Sequence, residues 1–548
     1  MPMPNGFVPW PAGEAARYRA AGYWRGEPLG RLLRAAAAEH GGRTALADPH
    51  ARLTFAGWDA AADRLAAGLT ELGVRSGDRV LVQLPNRIEF AVLCFALLRI
   101  GALPVLALPG HRESELRHLC DLSEAVAYVT VDELDGHDHR PAARTLRATC
   151  PSLRHVVIVG EPGGAGVAYR DLAEGREPAD LPDPDPSAPA LLLLSGGSTG
   201  LPKLIPRTHD DYAYNARTMA AICGLTAEDV HLAVLPIAHN FPLACPGLLG
   251  ALGAGAATVL APNPSPPEVF PLIERERVTV TALVPPLAAL WTRAVEWVRA
   301  DLSSLRLIQV GGARLPVETA RALPGALGCG LQQVFGMAEG LLCATRPGDP
   351  DAVVTTTQGR PVSPGDEIRI VGPGDVDVPP GETGELLTRG PYTLRGYYRA
   401  AEHNARAFTP DGYYRSGDLV RRVASGDLVV EGRVKEQINR GGEKISPEEV
   451  ERHLLAHPAI AQAAVIGVPD DVLGERVCAF LLPTPEYPAG PGDLAPAALA
   501  DFLRARGLAG FKRPEQVETV TAWPLTGVGK IDRRALAAIA VDRARTAR

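Results

Sequence analysis

A run of serine, threonine and glycine that ends in a lysine is the segment of this sequence best suited to bind phosphate. It follows the apolar run 191–194 and reads Ser195, Gly196, Gly197, Ser198, Thr199, Gly200, Leu201, Pro202 and Lys203. Glycines let the backbone approach a ligand closely, N–H groups and hydroxyls donate hydrogen bonds, and the lysine supplies charge. Leu-Pro separates the last glycine from the lysine, so this is not a GxxxxGK[ST] motif. We expect a phosphate-binding loop after a buried strand, with an ordinary Gly-rich turn as the alternative.

Lysine is scarce in this chain. Only five of the 56 basic residues are lysines, at positions 203, 435, 444, 512 and 530. Because arginine fills most places where any surface cation would serve, we expect a remaining lysine where a compact ammonium on a flexible stem is needed. Four of the five lie in short Gly-rich or charged motifs: Lys203, Lys435, Lys444 and Lys530. The alternative is that codon drift replaced most lysines with arginine and that the remaining lysines have no special role.

Further motifs follow the Gly-rich loop in a fixed order. They are Phe335-Gly336-Met337-Ala338-Glu339, Tyr414-Arg415-Ser416-Gly417-Asp418, Gly432-Arg433 and Thr526-Gly527-Val528-Gly529-Lys530. From about residue 28 to 540, this succession resembles the adenylate-forming superfamily of acyl-CoA synthetases, peptide-synthetase adenylation domains and luciferases. The resemblance implies two half-reactions: a carboxylate attacks ATP to give an acyl-adenylate and pyrophosphate, and a thiol then attacks the adenylate carbonyl.

The resemblance also implies roles for single residues, with ATP and Mg²⁺ as cofactors. Residues 195–203 would hold the β- and γ-phosphates, Phe335 would stack on adenine, and Glu339 would bind Mg²⁺. Asp418 would accept hydrogen bonds from the ribose hydroxyls, supported by Arg433. The implied nucleotide site comprises Ser195, Gly196, Gly197, Ser198, Thr199, Gly200, Lys203, Gly311, Gly312, Val334, Phe335, Gly336, Glu339, Asp418 and Arg433.

Other implied roles fall near the C-terminus. Lys530 would be the catalytic lysine of a mobile lid, placing positive charge between the substrate carboxylate and the α-phosphate. Lys435 would be the hinge about which the lid rotates between the two half-reactions. Gly441 and Gly442 would line the tunnel for a pantetheine thiol. Lys444 receives no chemical role.

Three segments indicate which class of acid is activated. Residues 207–212, 238–247 and 332–340 look like those of stand-alone aryl-acid AMP ligases that start siderophore and related peptide assembly lines. In that family the asparagine at position 240 hydrogen-bonds the carboxylate and ortho-hydroxyl of the acid. The implied acid pocket comprises His239, Asn240, Phe241, Cys245, Gly312, Met337 and Leu342.

Cys245 and Leu342 favour salicylate among the aryl acids. Position 245 is serine in relatives that use 2,3-dihydroxybenzoate, where a hydroxyl can pair with the 3-OH. A thiol is a weak donor and behaves as a small hydrophobe, and Leu342 is larger than the valine frequent in those relatives. A buried, unpaired 3-OH would cost about 1–3 kcal/mol. The alternatives are 2,3-dihydroxybenzoate, a 3-hydroxypicolinate-type acid and 6-methylsalicylate.

The thiol acceptor is expected to be a separate molecule. No Gly-Gly-x-Ser-Leu-like phosphopantetheine site is found in the 548 residues. The resemblance favours an aryl carrier protein in trans, with coenzyme A as the alternative, which would make the enzyme an aryl-CoA ligase. A catalytically silent nucleotide-binding or scaffold protein is a third hypothesis, disfavoured by Lys530, Glu339, Asp418 and the intact phosphate loop.

Composition restricts partners and location. The net charge of −7 gives no reason to expect nucleic acid or an anionic membrane as a partner. The eight cysteines are scattered without ligand spacing, which indicates reduced thiols in the cytoplasm. The N-terminus shows no secretion signal. The apolar stretch 90–108 is interrupted by Arg99, Gly101 and Pro104, so it predicts a buried helix, a turn and a buried strand instead of a membrane span.

Alternating helical and strand patterns predict an α/β fold. Helices are expected at 32–40, 58–72 and 89–98 and strands at 79–84, 126–131, 155–159 and 191–194. Residues 160–190 are expected to form a surface connection. The expected architecture is a large N-terminal domain with two α/β-layered subdomains and a small β-barrel subdomain from about 355 to 432, followed by a small mobile α+β lid.

The expected boundaries are 1–433 for the adenylation core, 434–436 for the hinge and 437–548 for the lid. Within the lid, Ser446-Pro447-Glu448-Glu449 predicts a capping box that opens a helix to about residue 457. Strands are expected at 463–468 and 477–482, followed by a surface loop at 483–495.

Overall fold

The computed structural model describes residues 5–178, 181–195, 202–434, 437–484, 494–524 and 531–546. The chain divides into two compact units. The first comprises residues 1–109, 119–194 and 203–432, and the second comprises residues 110–118, 195–202 and 433–548. The division after Gly432 lies beside the predicted hinge, of which residues 435 and 436 are outside the described part. The domain boundaries therefore stay a prediction.

The helices of the described residues are numbered in chain order. They are α1 Ala12–Ala20, α2 Gly30–His40, α3 Phe55–Leu72, α4 Ile88–Ile100, α5 Glu113–Ser123, α6 Arg140–Thr149, α7 Tyr169–Ala173, α8 His209–Ile222, α9 Asn240–Ala244, α10 Gly247–Gly253, α11 Pro266–Glu276, α12 Pro285–Ala294, α13 Val317–Leu327, α14 Asp351–Thr356, α15 Ala401–Ala407, α16 Pro447–Leu454, α17 Pro496–Ala505 and α18 Arg533–Thr546.

The strands are numbered in the same way. They are β1 Thr44–Ala47, β2 Arg52–Thr54, β3 Arg79–Gln83, β4 Leu103–Leu106, β5 Ala127–Val131, β6 Glu133–Leu134, β7 His137–Asp138, β8 His155–Val159, β9 Val167–Ala168, β10 Pro189–Leu194, β11 Leu204–Thr208, β12 Val230–Ala233, β13 Ala257–Leu260, β14 Val280–Leu283, β15 Leu307–Gly311, β16 Gly330–Gly336, β17 Leu342–Ala344, β18 Arg360–Pro361, β19 Glu367–Val371, β20 Thr383–Arg389, β21 Tyr414–Arg422, β22 Leu428–Arg433, β23 Ile438–Arg440, β24 Glu443–Ile445, β25 Ile460–Asp470, β26 Gly474–Pro483 and β27 Gln516–Thr519.

The first unit contains two largely parallel sheets. The nine-stranded sheet has the order β18-β17-β16-β15-β14-β12-β13-β1-β2, and the seven-stranded sheet has the order β11-β10-β4-β3-β5-β8-β9. Their central pairs are parallel, and antiparallel pairs occur only towards the edges among the pairings described. Strands such as β4 and β5 are buried along their whole length, as expected for parallel sheets covered on both faces. The predicted α/β fold is confirmed.

The region predicted as a small β-barrel contains an antiparallel sheet. Its four strands have the order β19-β20-β21-β22. Strand β20 pairs antiparallel with both β19 and β21. No pairing among the described residues closes this sheet, so the barrel itself stays a prediction.

The second unit is built on a five-stranded sheet. Strands β24, β23, β26 and β25 follow one another, and β27 pairs with β26. Alternate residues of β25 and β26 enter two apolar clusters: Val465 and Val477 belong to one, Ile466 and Cys478 to the other. This alternation follows from the two-residue period of a strand. A sheet covered on both faces by helices accounts for the predicted α+β character.

The stretch that most resembles a membrane span is a buried helix, a turn and a buried strand. It forms α4 and β4, with Gly101 in the left-handed conformation at the end of α4 (φ 75°). In the part of the chain that the structure describes, no helix has the length and apolarity needed to cross a bilayer. All eight cysteines are buried free thiols.

Lys512 is buried in the second unit with two carboxylates. Its Nζ lies 2.7 and 2.9 Å from the two oxygens of Glu449 and 3.1 Å from Oε1 of Glu115, which belongs to the same unit. The lysine is 3% exposed. This pairing also corrects the predicted capping box: Ser446 caps α16 by accepting from the Glu449 N–H, but the Glu449 carboxylate binds Lys512.

We predict that Lys512→Ala lowers the free energy of unfolding by about 3–5 kcal/mol, because it leaves buried carboxylates without their cation. Urea unfolding of the full chain, followed by circular dichroism, measures this change. Arg504→Ala is the matched control: Arg504 pairs with Asp501, and both side chains are more than 60% exposed. Its loss should cost less than about 1 kcal/mol. Equal effects of the two substitutions would contradict the prediction.

Candidate active site

Two neighbouring parallel strands end side by side at the edge of the nine-stranded sheet where the predicted nucleotide residues occur. Strand β15 ends at Gly311, which lies opposite Val334 in β16. Ligands of open parallel sheets bind beyond the carboxyl ends of the strands. The structure therefore brings Gly311, Gly312, Val334, Phe335 and Gly336 to an edge where a ligand is expected.

Two of these glycines permit close packing around the predicted acid pocket. A Cβ atom at Gly311 would lie 3.1 Å from two ring atoms of Phe241 and 2.7 Å from the Val334 carbonyl oxygen. A Cβ atom at Gly336 would overlap the side chain of Leu342. The absence of a side chain at both positions lets the side chains of Phe241 and Leu342 reach the backbone of β15 and β16.

The predicted acid-pocket residues fall into two groups. Cys245 and Leu342 are buried in one apolar cluster with Val334, and Phe241 packs against it. Met337 packs instead with Phe335 against a second cluster, formed by Leu341, Cys343, Leu386, Val420 and Leu428. Successive residues of a strand point to opposite faces, so Val334 and Phe335 serve different clusters. The substrate-binding role of Met337 stays a prediction.

A short helix carries the polar end of the predicted pocket. His239 immediately precedes α9, and Asn240 is its first residue. The Asn240 side chain donates from Nδ2 to the Cys245 sulfur at 3.4 Å and accepts at Oδ1 from the Tyr212 hydroxyl at 2.9 Å. Burial raises the pKa of the Cys245 thiol to about 12, so the thiol stays neutral.

Helix α8 supports this pocket through residues to which the sequence analysis gave no role. Tyr212 binds Asn240, and one turn later Asn215 donates to the Ala244 carbonyl at 2.7 Å. Arg207, at the end of β11, donates to the Ala338 carbonyl at 3.1 Å. The sequence did contain a signal for these supporting residues. The family resemblance included the segment 207–212, but it gave no function to the polar residues of that segment.

Glu339, the predicted magnesium ligand, is held by a tyrosine pair. The Tyr397 hydroxyl donates to Glu339 Oε1 at 2.8 Å and lies 2.8 Å from the Tyr414 hydroxyl. Lys203 places its Nζ 5.9 Å from the centre of the Tyr397 ring, within the range of a cation–π contact. The last residue of the predicted phosphate loop and the predicted metal carboxylate therefore share one supporting side chain. An oxygen ligand of this kind fits Mg²⁺, which binds one or two carboxylates together with substrate phosphates.

The predicted ribose residues occupy separate units. Asp418 is 4% exposed in β21 of the first unit, and its N–H donates to the Ser416 hydroxyl at 3.1 Å. Arg433 ends β22, is assigned to the second unit and hydrogen-bonds Gln437. Their joint role at a ribose stays a prediction.

Several predicted residues lie outside the described part of the chain. These are Gly196, Gly197, Ser198, Thr199, Gly200, Lys435 and Lys530. Ser195 is described and belongs to the second unit. Gly441 and Gly442, predicted for the thiol tunnel, form the turn between β23 and β24 with φ values of 58° and 95°. The functions of all these residues stay predictions.

Comparison with known protein families decides the classification. The AMP-binding enzyme family matches residues 33–398, and the AMP-binding enzyme C-terminal domain matches residues 449–530. The chain belongs to the AMP-binding enzyme family. It is an adenylate-forming ligase, so this part of the sequence-based prediction is confirmed.

Curated relatives match this family member over nearly its whole length. A 2,3-dihydroxybenzoate-AMP ligase of Bacillus subtilis (strain 168) is 53% identical and covers 97% of both chains. A salicyl-AMP ligase / salicyl-S-ArCP synthetase of Mycobacterium tuberculosis is 54% identical, with 97% of this chain and 94% of the relative covered. The resemblance stated from the motifs is confirmed at the level of this enzyme group.

Solved structures support the fold. The apo structure of Mycobacterium smegmatis MbtA superposes with a TM-score of 0.75 and 51% sequence identity, covering 97% of this chain and 98% of that one. An o-succinylbenzoate CoA synthetase of Bacillus subtilis has a TM-score of 0.80 at 26% identity, covering 93% of this chain and 98% of that one. The predicted large N-terminal and small C-terminal parts agree with these structures.

We predict that Gly311→Ala raises the KM for the acid about tenfold or more, because the added methyl group displaces the Phe241 ring, which is predicted to wall the acid pocket. ATP–pyrophosphate exchange measures this KM. Gly253→Ala in α10 is the control, since a Cβ atom there meets nothing within 4 Å. An unchanged KM in a folded Gly311→Ala protein would show that Phe241 does not wall the acid site.

Proposed function

We propose that this enzyme activates salicylate with ATP and Mg²⁺ and transfers the salicyl group to the phosphopantetheine thiol of an aryl carrier protein in trans. The observation that carries the proposal is the burial of Cys245 and Leu342 in one apolar cluster, with the Asn240 amide beside Cys245. The name of one relative supports it, since that protein is a salicyl-AMP ligase / salicyl-S-ArCP synthetase. We propose a role in siderophore or related nonribosomal peptide biosynthesis, on the resemblance to stand-alone aryl-acid AMP ligases.

Burial makes the floor of the pocket selective. Cys245 is 1% exposed and Leu342 is 2% exposed. A 3-hydroxyl placed against the neutral Cys245 thiol would lose its water and gain only a weak partner, at a cost of about 1–3 kcal/mol. Salicylate has hydrogen at this position and avoids the cost. Asn240 would hold the carboxylate and the ortho-hydroxyl, which is next to the 3-position on the ring.

The proposed chemistry has two balanced steps. A carboxylate oxygen of the acid forms a bond to the α-phosphorus of ATP, and the bond to the bridging oxygen of pyrophosphate breaks. The carrier thiolate then attacks the acyl carbonyl, and AMP leaves. Bound Mg²⁺ would neutralise charge on the departing pyrophosphate, with Glu339 holding it. We propose Lys530 for the charge at the α-phosphate and Lys435 for the hinge.

Two alternatives have specific support. The relative named 2,3-dihydroxybenzoate-AMP ligase favours the dihydroxy acid. A relative from Streptomyces sp named salicylyl-CoA synthase / salicylate adenylyltransferase is 50% identical over 97% of both chains and favours coenzyme A as acceptor. A 3-hydroxypicolinate-type acid stays a further alternative. The free cysteines are consistent with the expected cytoplasmic location, which stays a prediction.

ATP–pyrophosphate exchange with salicylate, 2,3-dihydroxybenzoate, 3-hydroxypicolinate, 6-methylsalicylate and benzoate tests the proposal. We expect kcat/KM for salicylate to exceed that for 2,3-dihydroxybenzoate by about tenfold to a hundredfold, because of the unpaired 3-hydroxyl. Exchange with none of the acids would refute the aryl-acid function. Transfer of labelled salicylate to a phosphopantetheinylated aryl carrier protein or to coenzyme A then identifies the acceptor.

We predict that Cys245→Ser shifts the preference towards 2,3-dihydroxybenzoate by about tenfold, because a hydroxyl can pair with the 3-OH. The ratio of kcat/KM values for the two acids measures the shift. Cys223→Ser is the matched control in the same apolar cluster, where the sulfur already hydrogen-bonds Gln332 and Gln309. An equal shift in both variants would remove Cys245 as the determinant.

A further inference from the structure

The hydrogen bond between Tyr212 and Asn240 determines which side of the Asn240 amide is available to the acid. We propose that Tyr212 is a positioning residue that turns the Asn240 NH₂ group towards the acid, so that the site selects an ortho substituent able to accept a hydrogen bond. The proposal rests on the aryl-acid function proposed above and extends it to a specific rejection of ortho-amino acids such as anthranilate.

The geometry favours one orientation of the amide. The Tyr212 hydroxyl donates to Asn240 Oδ1 at 2.9 Å, and Nδ2 faces the Cys245 sulfur at 3.4 Å. Tyr212 is fully buried, and burial holds its pKa well above the usual value, so its hydroxyl keeps the hydrogen it donates. A reversed amide would present NH₂ to this hydroxyl. The hydroxyl hydrogen would then have no acceptor among the contacts described for Tyr212.

Tyr212 is itself held in place by Arg207. The Arg207 guanidinium lies 4.6 Å from the centre of its ring, in cation–π contact. Arg207 is anchored in turn by its Nε bond to Asp211 Oδ1 at 2.8 Å and its Nη1 bond to the Ala338 carbonyl at 3.1 Å. The tyrosine hydroxyl is therefore a fixed donor.

Helix α8 also fixes the helix that carries Asn240. Asn215, one turn after Tyr212, donates to the carbonyl of Ala244, the last residue of α9. Helix α8 thus holds both ends of α9: it contacts the side chain of Asn240, the first residue, and the backbone carbonyl of Ala244, the last residue. Rotation of the Asn240 amide about its own side-chain bonds is the remaining freedom, and the Tyr212 hydroxyl restricts it.

The fixed NH₂ group distinguishes ortho substituents by hydrogen-bonding chemistry. The hydroxyl of salicylate directs its hydrogen to its own carboxylate and leaves oxygen lone pairs to accept from Asn240. The amino group of anthranilate bears two hydrogens, and its lone pair is delocalised into the ring. The amino group of anthranilate and the NH₂ group of Asn240 are therefore both hydrogen-bond donors, and neither can accept from the other. Benzoate loses one hydrogen bond but meets no such conflict.

Tyr212→Phe tests the proposal, because it removes only the hydroxyl and lets the amide turn. The ratio of kcat/KM for salicylate to kcat/KM for anthranilate, measured by pyrophosphate exchange, should fall about tenfold or more. The KM for ATP should stay within about twofold of wild type, because Tyr212 contacts the acid-binding amide. Tyr214→Phe is the matched control: it lies on the same helix, and its hydroxyl bonds Ser363 at 2.6 Å. Its ratio should equal that of wild type.

Different outcomes separate this proposal from the function on which it rests. A wild-type enzyme that activates no aryl acid overturns the proposed function, and the selectivity proposal with it. An active wild type whose acid ratio is unchanged in Tyr212→Phe, or equally changed in Tyr214→Phe, overturns the positioning role alone.

A second variant covers the case in which Tyr212→Phe does not fold, as judged by its thermal unfolding. Asn240→Asp replaces the NH₂ group with an acceptor, so the salicylate-to-anthranilate ratio should fall in this variant too. An unchanged ratio in Asn240→Asp would overturn the proposal.

Discussion

The buried ion pair between Arg207 and Asp211 is the interaction on which the described site depends. Neither side chain is more than 3% exposed, and Nε lies 2.8 Å from Oδ1. Charges removed from water are stable only when hydrogen bonds satisfy them as well. Asp211 accepts from the Thr208 N–H and hydroxyl at 2.8 Å each, and Arg207 donates to the Ala338 carbonyl. These bonds join the start of α8 to the segment that carries Glu339, so the residues predicted to bind the acid and the residue predicted to bind Mg²⁺ have one support.

Whether arginine or lysine is present at a buried site follows from the geometry of the groups around it. Arg207 uses its planar group three times: Nε binds a carboxylate, Nη1 binds a carbonyl, and its face covers the Tyr212 ring. An ammonium could not make these contacts together. Lys512 occupies a different kind of site, where three carboxylate oxygens surround its compact ammonium group. Lys512 therefore occupies a place that suits a compact ammonium, although the sequence analysis predicted no role for it.

Elements that are buried on both faces were predicted well from the sequence, because their composition is uniformly apolar. Strand β8 has the predicted bounds, and the apolar stretch after residue 88 forms the expected helix, turn and strand. The predicted ends of helices were less accurate where a capping side chain determines the end. Helix α3 begins at Phe55, three residues before the predicted start, because the Thr54 side chain accepts from the Gly57 N–H. The capping box was expected at residues 446–449, whereas Thr208 and Asp211 form a complete one at α8.

The sequence by itself determined the family, the order of the motifs and the apolar character of Cys245 and Leu342, since these depend on residue type and position along the chain. Only the tertiary structure decided which of these residues act together. Val334 and Phe335 are consecutive residues of β16 but enter different apolar clusters, because strand alternation sends neighbours to opposite faces. Tyr212 and Asn240 are 28 residues apart, and their hydrogen bond exists because α8 packs beside α9. Such a pairing depends on long-range packing, which residue patterns within one segment do not encode.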